Sequence, residues 1–278
     1  MKQFFLIDDD FESIIKSQIN TQINKIEVIS TGWTNIVYRV ESETGNYYFR
    51  FPRDEFWEKT IVKDYEFAKF IKGKTSFETV DLKLCYNDGR AFSMHKEIPG
   101  YCLADKVNEM SEEDVKRVSN QIAKFMYELH NIKFNENEIF TISSNIGLNL
   151  NDFVDELLNK HVYEEDRKFW SKNNFKIADF EQKCLVHGDL NSSNIIVDEN
   201  NNVKAIIDFG FGGYGNKYFD ISRIIGRCPE RFKQPIIEGY EELEKIALAY
   251  NKLEQNISIW TNIDNGYINY MRGIGIYN

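Results

Sequence analysis

The sequence predicts an α+β chain of two lobes, an N-terminal lobe on a five-stranded antiparallel sheet and a mainly helical C-terminal lobe. Three observations carry that expectation. Short runs rich in Val, Ile, Tyr and Phe, bounded by turn residues, crowd roughly the first ninety residues. Beyond Gly100 the apolar spacing changes, with Val115, Val118, Ile122, Phe125 and Leu129 at helical steps of 3, 4, 3 and 4. A length of 278 residues suffices for one large or two modest domains. The division falls between an N-terminal lobe over 1–97 and a larger C-terminal lobe over 98–278.

The elements follow in order. An opening helix from Asp10, a capping residue type, to about Gln22 places Phe11, Ile14, Ile15 and Ile19 on one stripe. Strands are predicted over Lys25 to Ser30, Ile36 to Glu41 and Asn46 to Phe51, the last two joined through Glu43-Thr44-Gly45. A helix from Glu55 to Lys72 comes next. Strands Val80 to Tyr86 and Arg90 to His95 then flank the hairpin turn Asn87-Asp88-Gly89. In the second lobe a core helix spans Glu112 to Asn131, with further helical segments around 135–182 and two or three helices from Glu230 to about Tyr270. Between them, Cys184 to Phe209 alternates short apolar runs with turns.

Composition excludes several classes. Hydrophobic residues at 42% and charged residues at 28% exclude a disordered chain. A net charge of −10 repels nucleic-acid phosphates and anionic lipid heads, so neither nucleic acid nor membrane is an expected partner. Met1 to Ile7 runs into Asp8-Asp9-Asp10, too short for a secretory apolar region. No stretch reaches the ~20 apolar residues of a membrane span. Cys85, Cys102, Cys184 and Cys228 form no CxxC pair, which predicts a reducing, cytoplasmic compartment. Nothing in the composition specifies an oligomeric state.

The chemistry concentrates in Val186-His187-Gly188-Asp189-Leu190-Asn191-Ser192-Ser193-Asn194 and, after two short strands, Asp208-Phe209-Gly210. Asp189 and Asn194 are five residues apart and Asp208 is fourteen further on, three polar side chains on loops anchored by a hairpin. Phosphoryl transfer needs such a set, because its transition state is stabilised mainly by charge neutralisation and by positioning of the attacking hydroxyl. Asp189 suits the general base that accepts the hydroxyl proton. Asn194 and Asp208 offer the hard oxygens that Mg²⁺ prefers.

The pattern H-G-D-L-x-x-x-N followed by I-D-F-G resembles that of the aminoglycoside phosphotransferase and choline kinase superfamily, small-molecule relatives of the protein kinases. The resemblance implies a two-lobed protein-kinase-like fold, with ATP or GTP and Mg²⁺ as cofactors. It implies a loop-shaping hydrogen bond for His187. It also implies that Asp220, in a segment similar to G-D-P-x-x-D-L, caps a helix and braces the catalytic loop. A cation is expected on the third strand. Lysine is usual, and this chain has Arg50, which period-two alternation places with Tyr48 on the face opposite Phe49 and Phe51. Arg50 is a surface arginine, or it contacts the phosphates, or Lys96 or Arg53 does so instead. Its expected ion-pair partner is Glu66, in the row Val62, Glu66, Phe70. Ser30 and Thr31 open the phosphate-covering loop, and Glu97 and Ile98 open the hinge whose backbone pairs with the purine edge.

Only eleven residues separate Asp208 from Asp220, too few for a peptide-docking segment, and no A-P-E triplet follows. A small hydroxylated acceptor is therefore expected. The carboxylates Asp152, Asp155, Glu156, Glu164, Glu165, Asp166, Glu238, Glu241, Glu242 and Asp264 complement a cationic alcohol, foremost an aminoglycoside. Trp260, Tyr267 and Tyr270 keep open an aromatic cage for choline or ethanolamine. Methylthioribose and homoserine are further candidates, and a nucleotide-binding pseudokinase is the alternative of a different class.

Overall fold

The computed structural model describes residues 10–30, 34–134, 184–254, 256–258, 261 and 264–265. Helix α1 (Phe11–Gln18) starts where Asp10 accepts the Ser13 N–H at 3.0 Å, and stops before Gln22 because Ile19 is already extended. Strands β1 (Ile23–Ser30), β2 (Asn35–Ser42) and β3 (Gly45–Pro52) follow, then α2 (Glu55–Ile71), β4 (Glu78–Thr79), β5 (Lys83–Asn87) and β6 (Arg90–Lys96). Five of these strands form one antiparallel sheet in the order β1-β2-β3-β6-β5. Alternation sorts its faces as the sequence predicts. Phe49, Phe51, Phe92 and Met94 pack with Phe11 and Ile15 of α1, while Tyr48, Arg50 and His95 line a cleft on the other side. Asp88 and Gly89 both adopt positive φ, 50° and 77°, the geometry of a two-residue hairpin turn.

The strand predicted over Val80 to Tyr86 loses its first three residues. Glu78–Thr79 pairs in parallel with a strand of the helical lobe, and the sheet strand begins only at Lys83. Val80 and Leu82, between the two, turn into the cleft instead. Their apolar character is satisfied by burial at the junction of two sheets, a tertiary cause that periodicity does not carry.

The second lobe contains β7 (Tyr101–Cys102), α3 (Leu103–Lys106), α4 (Glu112–His130), β8 (Cys184–Val186), a 3₁₀ turn at Ser192–Asn194, β9 (Ile195–Val197), β10 (Val203–Ile206), β11 (Gly213–Gly215), α5 (Lys217–Arg227) and α6 (Glu230–Glu244). Residues 250–254 are helical again, and the helices predicted around 135–182 lie outside the described residues. Helix α4 opens with a reciprocal capping box between Ser111 and Asp114. Val118, Ile122, Phe125, Met126 and Leu129 are fully buried, in one cluster with Leu185, Leu190, Ile195, Ile206 and Phe209 and with Phe232, Ile236 and Tyr240 of α6. Burying a side chain of this size stabilises by roughly 1.5–3 kcal/mol. That row therefore fixes the β9–β10 hairpin and the antiparallel β8–β11 pair, whose flanking loops carry the motif residues. The four cysteines are free thiols. Among the described residues no helix is long and apolar enough to cross a membrane.

Candidate active site

The loop after β8 is shaped from behind by buried groups. Gly188 has φ +80°, and a Cβ there would lie 2.1 Å from the Phe211 carbonyl oxygen, so glycine is required. The Asp189 N–H donates to His187 Nδ1 at 3.2 Å, which makes Nε2 the nitrogen that donates to the Ile207 carbonyl at 2.9 Å. His187 thus ties the Asp189 loop to the residue preceding Asp208. Asp220, wholly buried on α5, accepts the N–H of His187 at 2.8 Å and of Gly188 at 2.9 Å. His130 Nε2 lies 3.2 Å from the same carboxylate, and its Nδ1 is 2.7 Å from the Tyr240 hydroxyl. Asp220 braces the loop but does not cap α5. Asn216 holds the cap, accepting the Tyr218 N–H at 2.8 Å, because a cap side chain must precede the first turn.

Asn194 points its amide nitrogen at the Asp189 carbonyl, 2.9 Å away, which turns its oxygen from that contact. Its own carbonyl accepts the Ile207 N–H at 3.0 Å, so the β9–β10 hairpin sets Asn194 and Asp208 side by side. Both line the cleft, whose volume is about 570 Å³. Asp208 adopts φ +66°, an unusual conformation for a non-glycine residue that commonly marks a functional turn. Asp189 is joined to the cleft through Asn194 rather than forming its wall, and its Oδ1 accepts from Arg223 Nε at 2.8 Å and Nη2 at 2.7 Å.

Arg50 enters the cleft from β3. Its Nη2 donates to Asp208 Oδ1 at 2.8 Å, and its Nη1 to Asp64 Oδ2 on α2. Burial works against its charge, but the Asp208 and Asp64 carboxylates outweigh it and hold its pKa above the ordinary arginine value. The other oxygen of Asp64 accepts the Phe209 N–H at 2.8 Å. One buried carboxylate therefore fixes both the cation and the backbone after Asp208.

A sequence model of the phosphotransferase enzyme family matches residues 25–251, most of the chain. The chain belongs to that family. Among solved structures, it resembles the GDP and kanamycin complex of the aminoglycoside phosphotransferase APH(2'')-IIIa, with a TM-score of 0.70 and 18% identity over 95% of this chain and 93% of that one. ADP-bound APH(2'')-Ib gives a TM-score of 0.67 and 21% identity over 96% and 92%. The macrolide 2'-phosphotransferase MphH from Brachybacterium faecium gives 0.64 and 12% over 96% and 94%. These likenesses establish the two-lobed, kinase-like fold of this phosphotransferase.

The structure corrects the partner expected for Arg50. Glu66 is two residues from Asp64, about 200° round the helix, and its carboxyl is merely raised by partial burial. Trp57, Ile61, Asp64, Ala68 and Ile71, at steps of 4, 3, 4 and 3, form a buried row of α2. That spacing was present in the sequence, and Asp64 is the lone acid in it. Of the alternative cations, Lys96 lies over the β2–β3 turn, its Nζ 3.3 Å from where a Cβ on Gly45 would stand, and it does not line the cleft. Ser30 ends β1, opposite Val37, and Thr31 lies outside the described residues.

At the hinge, Glu97 and Ile98 both line the cleft, and Gly100 passes so close to β9 that a Cβ would lie 2.5 Å from the Val197 carbonyl oxygen. The Glu97 N–H is committed to the Asn46 carbonyl at 2.8 Å, which leaves its carbonyl and the Ile98 N–H as the backbone groups open to a base edge. The Glu97 carboxylate accepts from Arg39 at 3.0 and 3.1 Å, Asn46 at 2.5 Å and Tyr48 at 2.9 Å. Its bonds from Arg39 push its pKa down to about 2. A carboxyl depressed in the folded state stabilises fully above its unfolded pKa of 4.5 and loses that contribution as pH falls toward about 2. Glu97→Gln is accordingly expected to lower Tm at pH 6, and the gap from the parent protein to narrow progressively from pH 4.5 to 3. A gap constant across that range would show that ionised Glu97 contributes nothing.

Four of the acidic residues expected around the acceptor, Glu238, Glu241, Glu242 and Asp264, fall among the described residues. Asp264 pairs with Arg223 at 2.8 Å and with Arg227. Glu241 accepts the Leu248 N–H at 2.7 Å, and Glu238 accepts from Gln234 at 2.9 Å. None of these, nor Glu242, lines the cleft. Asp152, Asp155, Glu156, Glu164, Glu165 and Asp166, together with Trp260, Tyr267 and Tyr270, lie outside the described residues.

Proposed function

We propose that this phosphotransferase transfers the γ-phosphoryl group of ATP or GTP to a hydroxyl of a cationic small molecule, foremost an aminoglycoside. The observation that carries the reaction class is that Asn194 and Asp208 line one cleft, with Asp189 bonded to Asn194 just behind its wall and the Arg50 guanidinium already against Asp208. Asp189 takes the hydroxyl proton as the acceptor oxygen bonds to phosphorus, and the bond from phosphorus to the bridging oxygen breaks to release the nucleoside diphosphate. Arg50 holds phosphate oxygens, and the Ile98 N–H and Glu97 carbonyl meet the purine edge. An amide oxygen and a carboxylate are hard donors of the number Mg²⁺ takes from protein in nucleotide sites, so Asn194 and Asp208 would hold it. Bound there, it would neutralise charge on the phosphates.

Three findings support the acceptor class: membership of the family, the kanamycin bound by the structural neighbour APH(2'')-IIIa, and the net charge of −10. A turnover panel tests it, offering aminoglycosides, choline, methylthioribose and homoserine with each nucleotide and Mg²⁺. Phosphorylation of an aminoglycoside is expected. Activity on choline or a sugar without any on aminoglycosides would overturn the acceptor and retain the chemistry. Nucleotide binding with no turnover on any acceptor would leave the pseudokinase reading.

A further inference from the structure

Arg223 belongs to no motif used above, yet it makes the closest contacts to the Asp189 carboxylate. It lies one turn along α5 from Asp220, on the same helix face. Its side chain is 8% exposed, and its Nε and Nη2 both reach Asp189 Oδ1, at 2.8 and 2.7 Å. Nη1 bonds Asp264 Oδ2 at 2.8 Å, and Arg227 pairs with Asp264 as well. Helix α5 thus grips the catalytic loop twice, by the backbone N–H groups through Asp220 and by the carboxylate through Arg223.

We propose that Arg223 is the positioning residue of the general base, itself oriented by Asp264, in an Asp264–Arg223–Asp189 relay of fixed geometry. A carboxylate turns about two side-chain torsions, and a base that must meet one hydroxyl cannot leave them free. Two N–H groups on Oδ1 fix both torsions. Among the described residues, Oδ2 has one long contact, 3.4 Å from Asn194 Nδ2, and it is the oxygen that takes the acceptor proton. Stability alone is a poor reason for this arrangement, since burying a guanidinium between carboxylates is often no better than apolar packing.

The proposal rests on Asp189 acting as base, and the test separates the two. Arg223→Ala, Arg223→Lys, Asp264→Asn, Asp189→Ala and the double Arg223→Ala/Asp189→Ala are assayed in the full chain. The acceptor is the one with the highest turnover in the panel above, and MgATP hydrolysis with water as acceptor is followed in parallel. Arg223→Ala should lower kcat by about 10²-fold, the cost of a misplaced group, with the nucleotide KM within about twofold. Arg223→Lys should recover part of that loss. In the Asp189→Ala background the Arg223 change should add nothing, because residues that act as a unit are non-additive. If Arg223→Ala fails to fold, Arg223→Lys and Asp264→Asn carry the test through the same split of kcat against KM. Multiplying losses, or unchanged kcat in all three single variants of Arg223 and Asp264, would overturn the positioning role. An active Asp189→Ala enzyme, or a parent protein with no turnover even on water, would overturn the base assignment and this proposal with it.

Discussion

Replacing Asp189 with alanine is expected to lower kcat by about 10²–10⁴, the range for a lost general base, while nucleotide binding stays nearly intact. The separation follows from where its contacts lie. The backbone of the loop is held by Asp220 and His187, neither of which needs the Asp189 side chain. Asn194 keeps its bond to the Asp189 carbonyl in the variant. Cleft groups such as Arg50, His95, Ile98 and Asp208 do not touch the Asp189 carboxylate. Arg223 loses one partner but keeps Asp264, so the protein should still fold. Asp189→Asn is the sharper variant, since its amide oxygen can still accept from Arg223 while no oxygen can take the proton. Steady-state kinetics with direct nucleotide titration decide the matter, and near-normal turnover in either variant would refute the mechanism.

The second large effect is expected at Asp64. Asp64→Ala removes, from a side chain only 2% exposed, the partner of a buried guanidinium and the acceptor of the Phe209 N–H. Breaking a buried ion pair from one side costs about 3–5 kcal/mol. The nucleotide KM should rise at least tenfold, since both Arg50, the proposed phosphate contact, and the loop bearing Asp208 lose their fixed point. Side-chain length provides a sharper test. Arginine reaches further than lysine and aspartate is shorter than glutamate, so the pair spans the distance that a lysine–glutamate pair would cover the other way round. Arg50→Lys and Asp64→Glu should each be defective alone, one leaving a gap and the other a clash. The double variant should recover part of both losses. Urea unfolding and nucleotide KM read the two consequences separately, and an Asp64→Ala protein normal in both would show that another group anchors Arg50.

Position in the chain explains what each residue reveals. The antiparallel sheet, the α4 core stripe and the loop carrying Asp189, Asn194 and Asp208 are local patterns, and each depends on neighbours a few residues away. Strand alternation, a local rule, puts Arg50 on the cleft face, and the structure has it there. Glu66 is not the partner because it lies in the row Val62, Glu66, Phe70, whereas Trp57, Ile61 and Asp64 fall in a row that packing buries. Asp220 gave up the expected capping role because a buried carboxylate within reach of two loop N–H groups and His130 is satisfied inward.

By itself the sequence determined the reaction class, through three oxygen-bearing side chains at defined spacings, and the fold class, through apolar periodicities that switch from two to 3.6. Tertiary structure alone decided the pairings of charge. Asp64 with Arg50, Asp189 with Arg223, and Arg223 with Asp264 join residues 14, 34 and 41 positions apart. Such pairs leave no local signal, since a charged residue on a helix reads the same whether it meets water or a buried partner. The difference arises only when packing removes the water, because a charge buried without a partner costs several kcal/mol. The fold then supplies partners from whichever elements the apolar core has brought together.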